Sequence, residues 1–197
     1  MTDDPIYQEA FNQLTEWLQE AKKLDLREPD AATLATAGKD GHVTARVVLV
    51  RRVEPEGLVF FTNSRSVKGR QLAENPRAAL CYYWDATGHQ VRIEGEAHPV
   101  TPAESDAYWA RRPRDAQLGS AVSRQSEVLE SREAFIQEVL ALEARLQGRP
   151  VPRPEHWFGY RLQPDQIEFF INRPARMHER TVYLKTPQGW RREWRYP

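Results

Sequence analysis

Four short stretches of the 197-residue chain concentrate side chains able to hold an anion. The first is "ARVVLVRR", residues 45–52. On a β-strand it turns Arg46, Val48 and Val50 to one face and Val47, Leu49 and Arg51 to the other, so each face carries a guanidinium among aliphatics. A guanidinium in such company suits an anion, although arginines also guard exposed sheet edges. The second is "VFFTNSRSVKGRQL", residues 59–72, where an apolar strand ends in Thr62 and Asn63 and a helix opens near Ser66 with Lys68 in its first turn. Free backbone N–H groups at a helix start, with hydroxyls and a lysine beside them, fit a phosphate, though the glycines of a Walker loop are missing. A plain Ser66 cap with a solvated Lys68 is the alternative.

The third stretch, "YWARRPRDAQLGSAVSRQS", residues 108–126, crowds Tyr108, Arg111, Arg112 and Arg114 at the end of a predicted helix. Cations at a helix C-terminus are favourable by ~0.3–1 kcal/mol, which explains part of the cluster without any ligand. It does not explain Ser123, Gln125 and Ser126, which offer the donors and acceptors that a phosphate or polar heterocycle needs. The fourth, "RPARMHER", residues 173–180, spaces Arg176, His178 and Arg180 by two, so a strand there places all three on one face. Flanking guanidiniums favour the neutral imidazole, which can hydrogen-bond a substrate hydroxyl.

Other chemistries lack their residues. His42, His89, His98, His156 and His178 show no metal-ligand spacing, and Cys81 is the only cysteine, so no metal site is expected. No G-x-S-x-G nucleophile motif is present. The 28 Lys and Arg balance the 28 Asp and Glu, so no overall field recruits nucleic acid, and anions must be held by local clusters. A lone cysteine within "AALCYYW" reads as buried filler in a reducing compartment. With no basic-then-apolar leader and no apolar run near membrane length, the expectation is a cytoplasmic protein without membrane contact.

The elements that must position these residues follow from periodicity. Asp4 and Pro5 open an amphipathic helix within residues 1–24, with Tyr7, Phe11, Leu14, Leu18 and Ala21 on one stripe. Strands are expected at "ATLATA", "HVTARVVLVRRV", "GLVFFTN", "RAALCYYW" and "HQVRIEGEAHPV", with turns at "GKDG", "EPEG" and "DATG" and a short helix over 66–74. "TPAE" is a capping box for a helix to about Arg111. A longer helix over 132–147 carries Phe135, Val139, Leu142 and Leu146. Within 157–197, "WFGYRLQ", "QIEFFIN", "RTVYLK" and "WRREWRY" read as strands, with "PD" and "PQG" as turns. The expectation is one domain over 1–197, mainly β with flanking helices (α+β), built as an antiparallel barrel or sandwich.

Taken in order, "RVVLVR", "FFTNSRSVK", "HQVRIEG", "YWARRPRDAQLGSAVSRQS", "IEFF" and "RMHER" resemble the pyridoxine (pyridoxamine) 5'-phosphate oxidase family. The resemblance implies an antiparallel split β-barrel homodimer with FMN in clefts at the subunit interface. It implies oxidation of pyridoxamine or pyridoxine 5'-phosphate to pyridoxal 5'-phosphate, with O2 as acceptor and H2O2 as co-product. By resemblance, FMN is held by Arg46, Val47, Val48, Leu49, Val50, Arg51, Phe61, Thr62, Ser66, Lys68, Gln90, Gln125, Ser126, Phe170 and Arg180. Arg51, Tyr108, Arg112 and Ala116 fall at substrate-phosphate positions, and Arg176 and His178 at catalytic positions over the substrate ring. The chain departs from the family pattern with Arg51 for lysine, Ala116 for serine, Phe170 for tryptophan and Val67 for a basic residue. The alternatives are a flavin oxidase of the same family acting on another ring, such as a phenazine precursor, and a non-catalytic flavin- or pyridoxal phosphate-binding protein.

Overall fold

The computed structural model describes residues 3–197. Asp4 caps α1 (Pro5–Lys23) by accepting from the N–H groups of Ile6 and Tyr7, and Pro5 takes the first turn, where no N–H is needed. Tyr7, Ala10, Leu14, Leu18 and Ala21 bury one stripe of this helix. Eight strands lie among the described residues: β1 (Ala31–Ala37), β2 (Val43–Glu54), β3 (Gly57–Asn63), β4 (Arg77–Trp84), β5 (His89–Pro99), β6 (Trp157–Ile171), β7 (Glu179–Thr186) and β8 (Gly189–Trp194). All their pairings are antiparallel.

The sheet order is β3-β2-β1-β4-β5-β6-β7-β8, and a further pairing of β3 with β6 closes the first six strands into a barrel. β6 does this by dividing its length: Trp157–Leu162 pairs with β3, while Gln166–Ile171 pairs with β7. Leu34, Leu80, Ile93 and Ile167 are cross-strand neighbours on β1, β4, β5 and β6, all almost fully buried. Each contributes ~1.5–3 kcal/mol of burial. Helices α2 (Val67–Glu74), α3 (Pro102–Trp109), α4 (Arg114–Val122) and α5 (Arg132–Leu146) lie outside the strands. A second, smaller core of Trp109, Leu118, Val151 and Trp157 receives Val139, Leu142 and Leu146 of α5. No described helix is long and apolar enough to cross a membrane.

Two sequence expectations need correction. "PD" at 164–165 is not a turn, and "WFGYRLQ" and "QIEFFIN" are one 15-residue strand, β6. Pro164 has no N–H for the ladder, and a β-bulge absorbs it: Pro164 pairs with Gly95 where the register shifts. Only glycine fits opposite, since a Cβ on Gly95 would lie 1.9 Å from the Gln163 carbonyl oxygen. "RMHER" is not a strand face. Pro174–Arg176 forms a 3₁₀ turn in which Ala175 and Arg176 have φ of 56° and 60°, and β7 starts only at Glu179. Left-handed backbone at two successive positions destroys the alternation on which a shared face depended. Helix α4 occupies a stretch to which periodicity assigned no element, with Asp115 in its first turn.

Candidate functional site

A cavity of about 640 Å³ lies among β2, β3, the start of α2, the end of α3 and the loop at Gln125 and Ser126. From β2 it takes Arg46, Val47, Val48, Leu49 and Arg51. Arg46 Nη1 donates to the Leu34 carbonyl at 3.1 Å and to Thr36 Oγ1 at 2.7 Å, and Nη2 donates to Thr44 Oγ1. Partial burial lowers the pKa of this guanidinium. Arg51 is the extra residue of a second β-bulge, since Val50 pairs with Phe60 and Arg52 with Val59. The bulge turns Arg51 toward the cavity. Its neighbour Arg52 is paired with Glu54 and Glu104, whereas Arg51 has no such partner among the described residues.

Lys68, in the first turn of α2, is buried and donates to Gln125 Oε1 at 2.9 Å. Burial, reinforced by the charge of Arg46, brings its pKa down to about 8. Gln125 Oε1 also accepts from Thr62 Oγ1 at 3.3 Å, and Ser126 Oγ accepts from the Val67 N–H at 3.3 Å. Asn63 Nδ2 donates to the Ser123 carbonyl at 3.1 Å. These bonds fasten the polar loop after α4 onto β3 and α2.

The opposite wall is aromatic. Phe61 stacks on Tyr108 at 4.1 Å between centroids and on Trp157 at 5.3 Å. The Arg112 guanidinium carbon lies 4.7 Å from the Trp157 ring centroid and 5.3 Å from that of Trp109. Its Nη1 is buried with no hydrogen-bond partner. Burial lowers the pKa of Arg112, and the charge of Arg51 acts in the same direction. Helix α3, which carries Tyr108, is moored through Glu104, whose Oε1 accepts from Arg52 at 2.6 Å and Arg161 at 2.9 Å. The Thr101 N–H, followed by Arg52, holds the Glu104 carboxyl down to about 2.

Several expected site residues lie elsewhere. Val50 is part of the barrel core, and Ser66 is spent as the α2 cap, accepting from the Gly69 N–H and donating to the Asn63 carbonyl. Ala116 sits on α4, off the cavity lining. Arg114 is tied to Glu143 of α5. Gln90, Phe170 and Arg180 form a second group, paired in register across β5, β6 and β7, with the His178 ring 5.0 Å from Phe170. Arg176, in the preceding turn, is exposed. None of these five lines the cavity. The buried carboxylate of Glu168 holds Arg180 at 2.9 Å and Arg92 at 3.0 Å. Sequence reading missed Glu168, Trp157 and Gln71. Gln71 had one local signal, its position one helical turn after Lys68.

Residues 18–146 match the family described as pyridoxamine 5'-phosphate oxidase, and residues 157–197 match the pyridoxine 5'-phosphate oxidase C-terminal dimerisation region. The pyridoxine/pyridoxamine 5'-phosphate oxidase of Rubrobacter xylanophilus is 45% identical over 192 residues, covering 98% of this chain and 88% of that protein. The protein of the same name from Thermosynechococcus vestitus is 47% identical over 195 residues, covering 99% and 90%. Among solved structures, PhzG from Burkholderia lata 383 in complex with tetrahydrophenazine-1-carboxylic acid matches with a TM-score of 0.91 at 35% identity, over 98% of this chain and 96% of that one.

Proposed function

The chain belongs to the pyridoxamine 5'-phosphate oxidase family of FMN-dependent oxidoreductases, and from that premise we propose that it oxidises pyridoxamine or pyridoxine 5'-phosphate to pyridoxal 5'-phosphate. The observation that carries this reading is a pairing of cations: one cavity holds two like-charged couples, Arg46 with Lys68 and Arg51 with Arg112. Neither couple contains a carboxylate. Like charges placed together in a partly buried site cost stability unless anions join them, and two couples suit two phosphates. One belongs to the cofactor and the other to the substrate.

The residues fit FMN. Arg46 and Lys68 take its phosphate, Thr62, Gln125 and Ser126 supply hydrogen bonds, and the β2 backbone with Val47 and Leu49 gives a flat apolar rim for a ring. FMN held there would supply the hydride acceptor, with O2 as the final oxidant and H2O2 as co-product. Arg51, Tyr108 and Arg112 grip the substrate phosphate. Arg112 is held ready against two indoles, so little ordering entropy remains to be lost when the anion arrives. The protein's part is orientation and charge.

Gln90, Phe170, Arg176, His178 and Arg180 complete the site from a second copy of the chain. Support comes from their absence from the cavity lining and from the match of residues 157–197 to a dimerisation region. In this arrangement each cavity of a homodimer receives His178 and Arg176 of the partner chain over the substrate ring. The half-buried Cys81 suits the reducing cytoplasm.

A second reading is favoured by the similarity to PhzG bound to a phenazine carboxylate. The Arg51 and Arg112 couple accepts a carboxylate as readily as a phosphate. One experiment separates them. Protein loaded with FMN is mixed anaerobically with pyridoxamine 5'-phosphate, pyridoxine 5'-phosphate or a reduced phenazine carboxylate, and the yellow absorbance is followed. Bleaching by a B6 phosphate, with H2O2 on admitting air, is the expected result. Bleaching by the phenazine alone selects the second reading, and failure to take up FMN defeats both.

A further inference from the structure

We propose that Gln71, which does not line the cavity, is a positioning residue that aims Arg46 at the phosphate of FMN by fixing the hydroxyls of Thr36 and Thr44. The inference rests on the reading of the cavity as the FMN site.

Gln71 is buried at 7% exposure, one helical turn after Lys68 on α2. Its Nε2 donates to the His42 carbonyl at 2.9 Å, which settles which end of the amide is oxygen. The oxygen accepts from Thr36 Oγ1 at 2.6 Å and Thr44 Oγ1 at 2.7 Å. A hydroxyl has one hydrogen, so both threonines spend theirs on Gln71 and turn lone pairs outward. Those lone pairs receive Arg46, Nη1 on Thr36 at 2.7 Å and Nη2 on Thr44. With the Leu34 carbonyl also taken by Nη1, three of the guanidinium donors are fixed. Two of the five, on Nε and Nη2, are left for an anion.

The relay therefore runs His42 carbonyl, Gln71, Thr36 and Thr44, Arg46. Each member has its donor direction dictated by the one before it. Without Gln71 the hydroxyl hydrogens are free to turn toward Arg46 and repel it. The same helix carries Lys68, so Gln71 also ties the two cations of the phosphate end to one rigid element.

The test measures the affinity of the full-length apoprotein for FMN and for riboflavin, which lacks the phosphate, by quenching of flavin fluorescence. Gln71→Leu is expected to weaken FMN about tenfold and riboflavin by less than about twofold, the loss of hydrogen bonding to a charged group. Thr36→Val, nearly isosteric and off the cavity lining, should lower the FMN preference in the same way. The double variant should lose no more than the worse single one, because both act through Arg46. A Gln71→Leu protein that keeps the wild-type FMN preference, or that loses both flavins equally, overturns the proposal. If Gln71→Leu does not fold, an unchanged preference in Thr36→Val overturns it alone. A wild-type protein that binds FMN no better than riboflavin defeats the reading of the cavity itself, and does so before any substitution is made.

Discussion

The Arg112 guanidinium packs against the Trp157 ring, 4.7 Å from its centroid, and leaves one terminal nitrogen buried without a partner. An unmet donor of this kind costs ~1–3 kcal/mol, which the fold tolerates through the stacking of Phe61, Tyr108, Trp157 and Trp109 around it. An anion bound at this nitrogen would recover the cost.

Arg112→Leu should therefore raise the KM for substrate ten- to hundredfold, the loss of ~1.5–3 kcal/mol of charge-assisted bonding. FMN affinity should stay within about twofold of wild type, since Arg46 and Lys68 are untouched. In FMN-loaded protein, inorganic phosphate should raise the Tm and compete with substrate, and the variant should show neither effect. Arg112→Lys should recover little of the loss, because an ammonium lacks the planar fork that stacks on indole. Steady-state kinetics and calorimetry check these outcomes.

Lys68 gives a pH dependence with a definite sign. Its pKa near 8 in the apoprotein lies below the 10.5 of a free lysine, so above 8 it is neutral when folded and charged when unfolded. The unfolded chain then binds more protons, and apoprotein stability rises with pH between those two values. FMN affinity runs the other way. Above pH 8 the anion must draw a proton onto Lys68, so affinity falls by up to about tenfold per pH unit. Lys68→Gln should flatten both dependences, as fluorescence titrations and urea midpoints across the alkaline range would reveal.

Features dictated by neighbouring residues were legible in the sequence, and features dictated by distant ones were not. The Asp4 and Pro5 start of α1 and the Thr101 to Glu104 capping box are local, and both appear as expected. The convergence of Arg46, Lys68, Tyr108, Arg112 and Gln125 on one cavity follows stretches already marked by composition. The continuity of β6 was hidden because Pro164 reads as a breaker until Gly95 is placed against it. The turn at Pro174 was misread because regular spacing of basic residues imitates a strand, although the proline itself pointed the other way. Glu168 acts only through partners on other elements, so no spacing in the chain marks it, and Gln71 carries no local mark beyond its place one helical turn after Lys68.

Glu168 is the structural keystone of the second residue group. Its carboxylate is 2% exposed and takes both Arg92 and Arg180, which are themselves about a third to a quarter exposed by side chain, 36% and 24%. Glu168→Leu should destabilise the protein by about 1–3 kcal/mol, below the ~3–5 kcal/mol of a fully buried pair because water can reach the abandoned arginines. Glu168→Gln should cost less than Glu168→Leu, since the amide oxygen can still accept from one arginine. Urea denaturation of all three proteins gives the comparison.

Whether one chain or two build the working site can be decided by mixing inactive proteins. Arg112→Ala removes a cavity residue, and His178→Ala removes a residue of the second group, which lies off the cavity lining of its own chain. Each homodimer should be nearly inactive, and the His178→Ala and Arg176→Ala variants should still bind FMN. When the Arg112→Ala and His178→Ala proteins are unfolded together and refolded, random pairing makes about half of the dimers hybrids. In a hybrid, one site combines both lesions and the other combines an intact cavity with an intact second group. Activity should therefore return to about one quarter of wild type. If each chain served its own cavity, every site in the mixture would carry one lesion, and no activity would return. The recovered activity of the mixture thus distinguishes a shared site from a self-contained one without a bound ligand being seen.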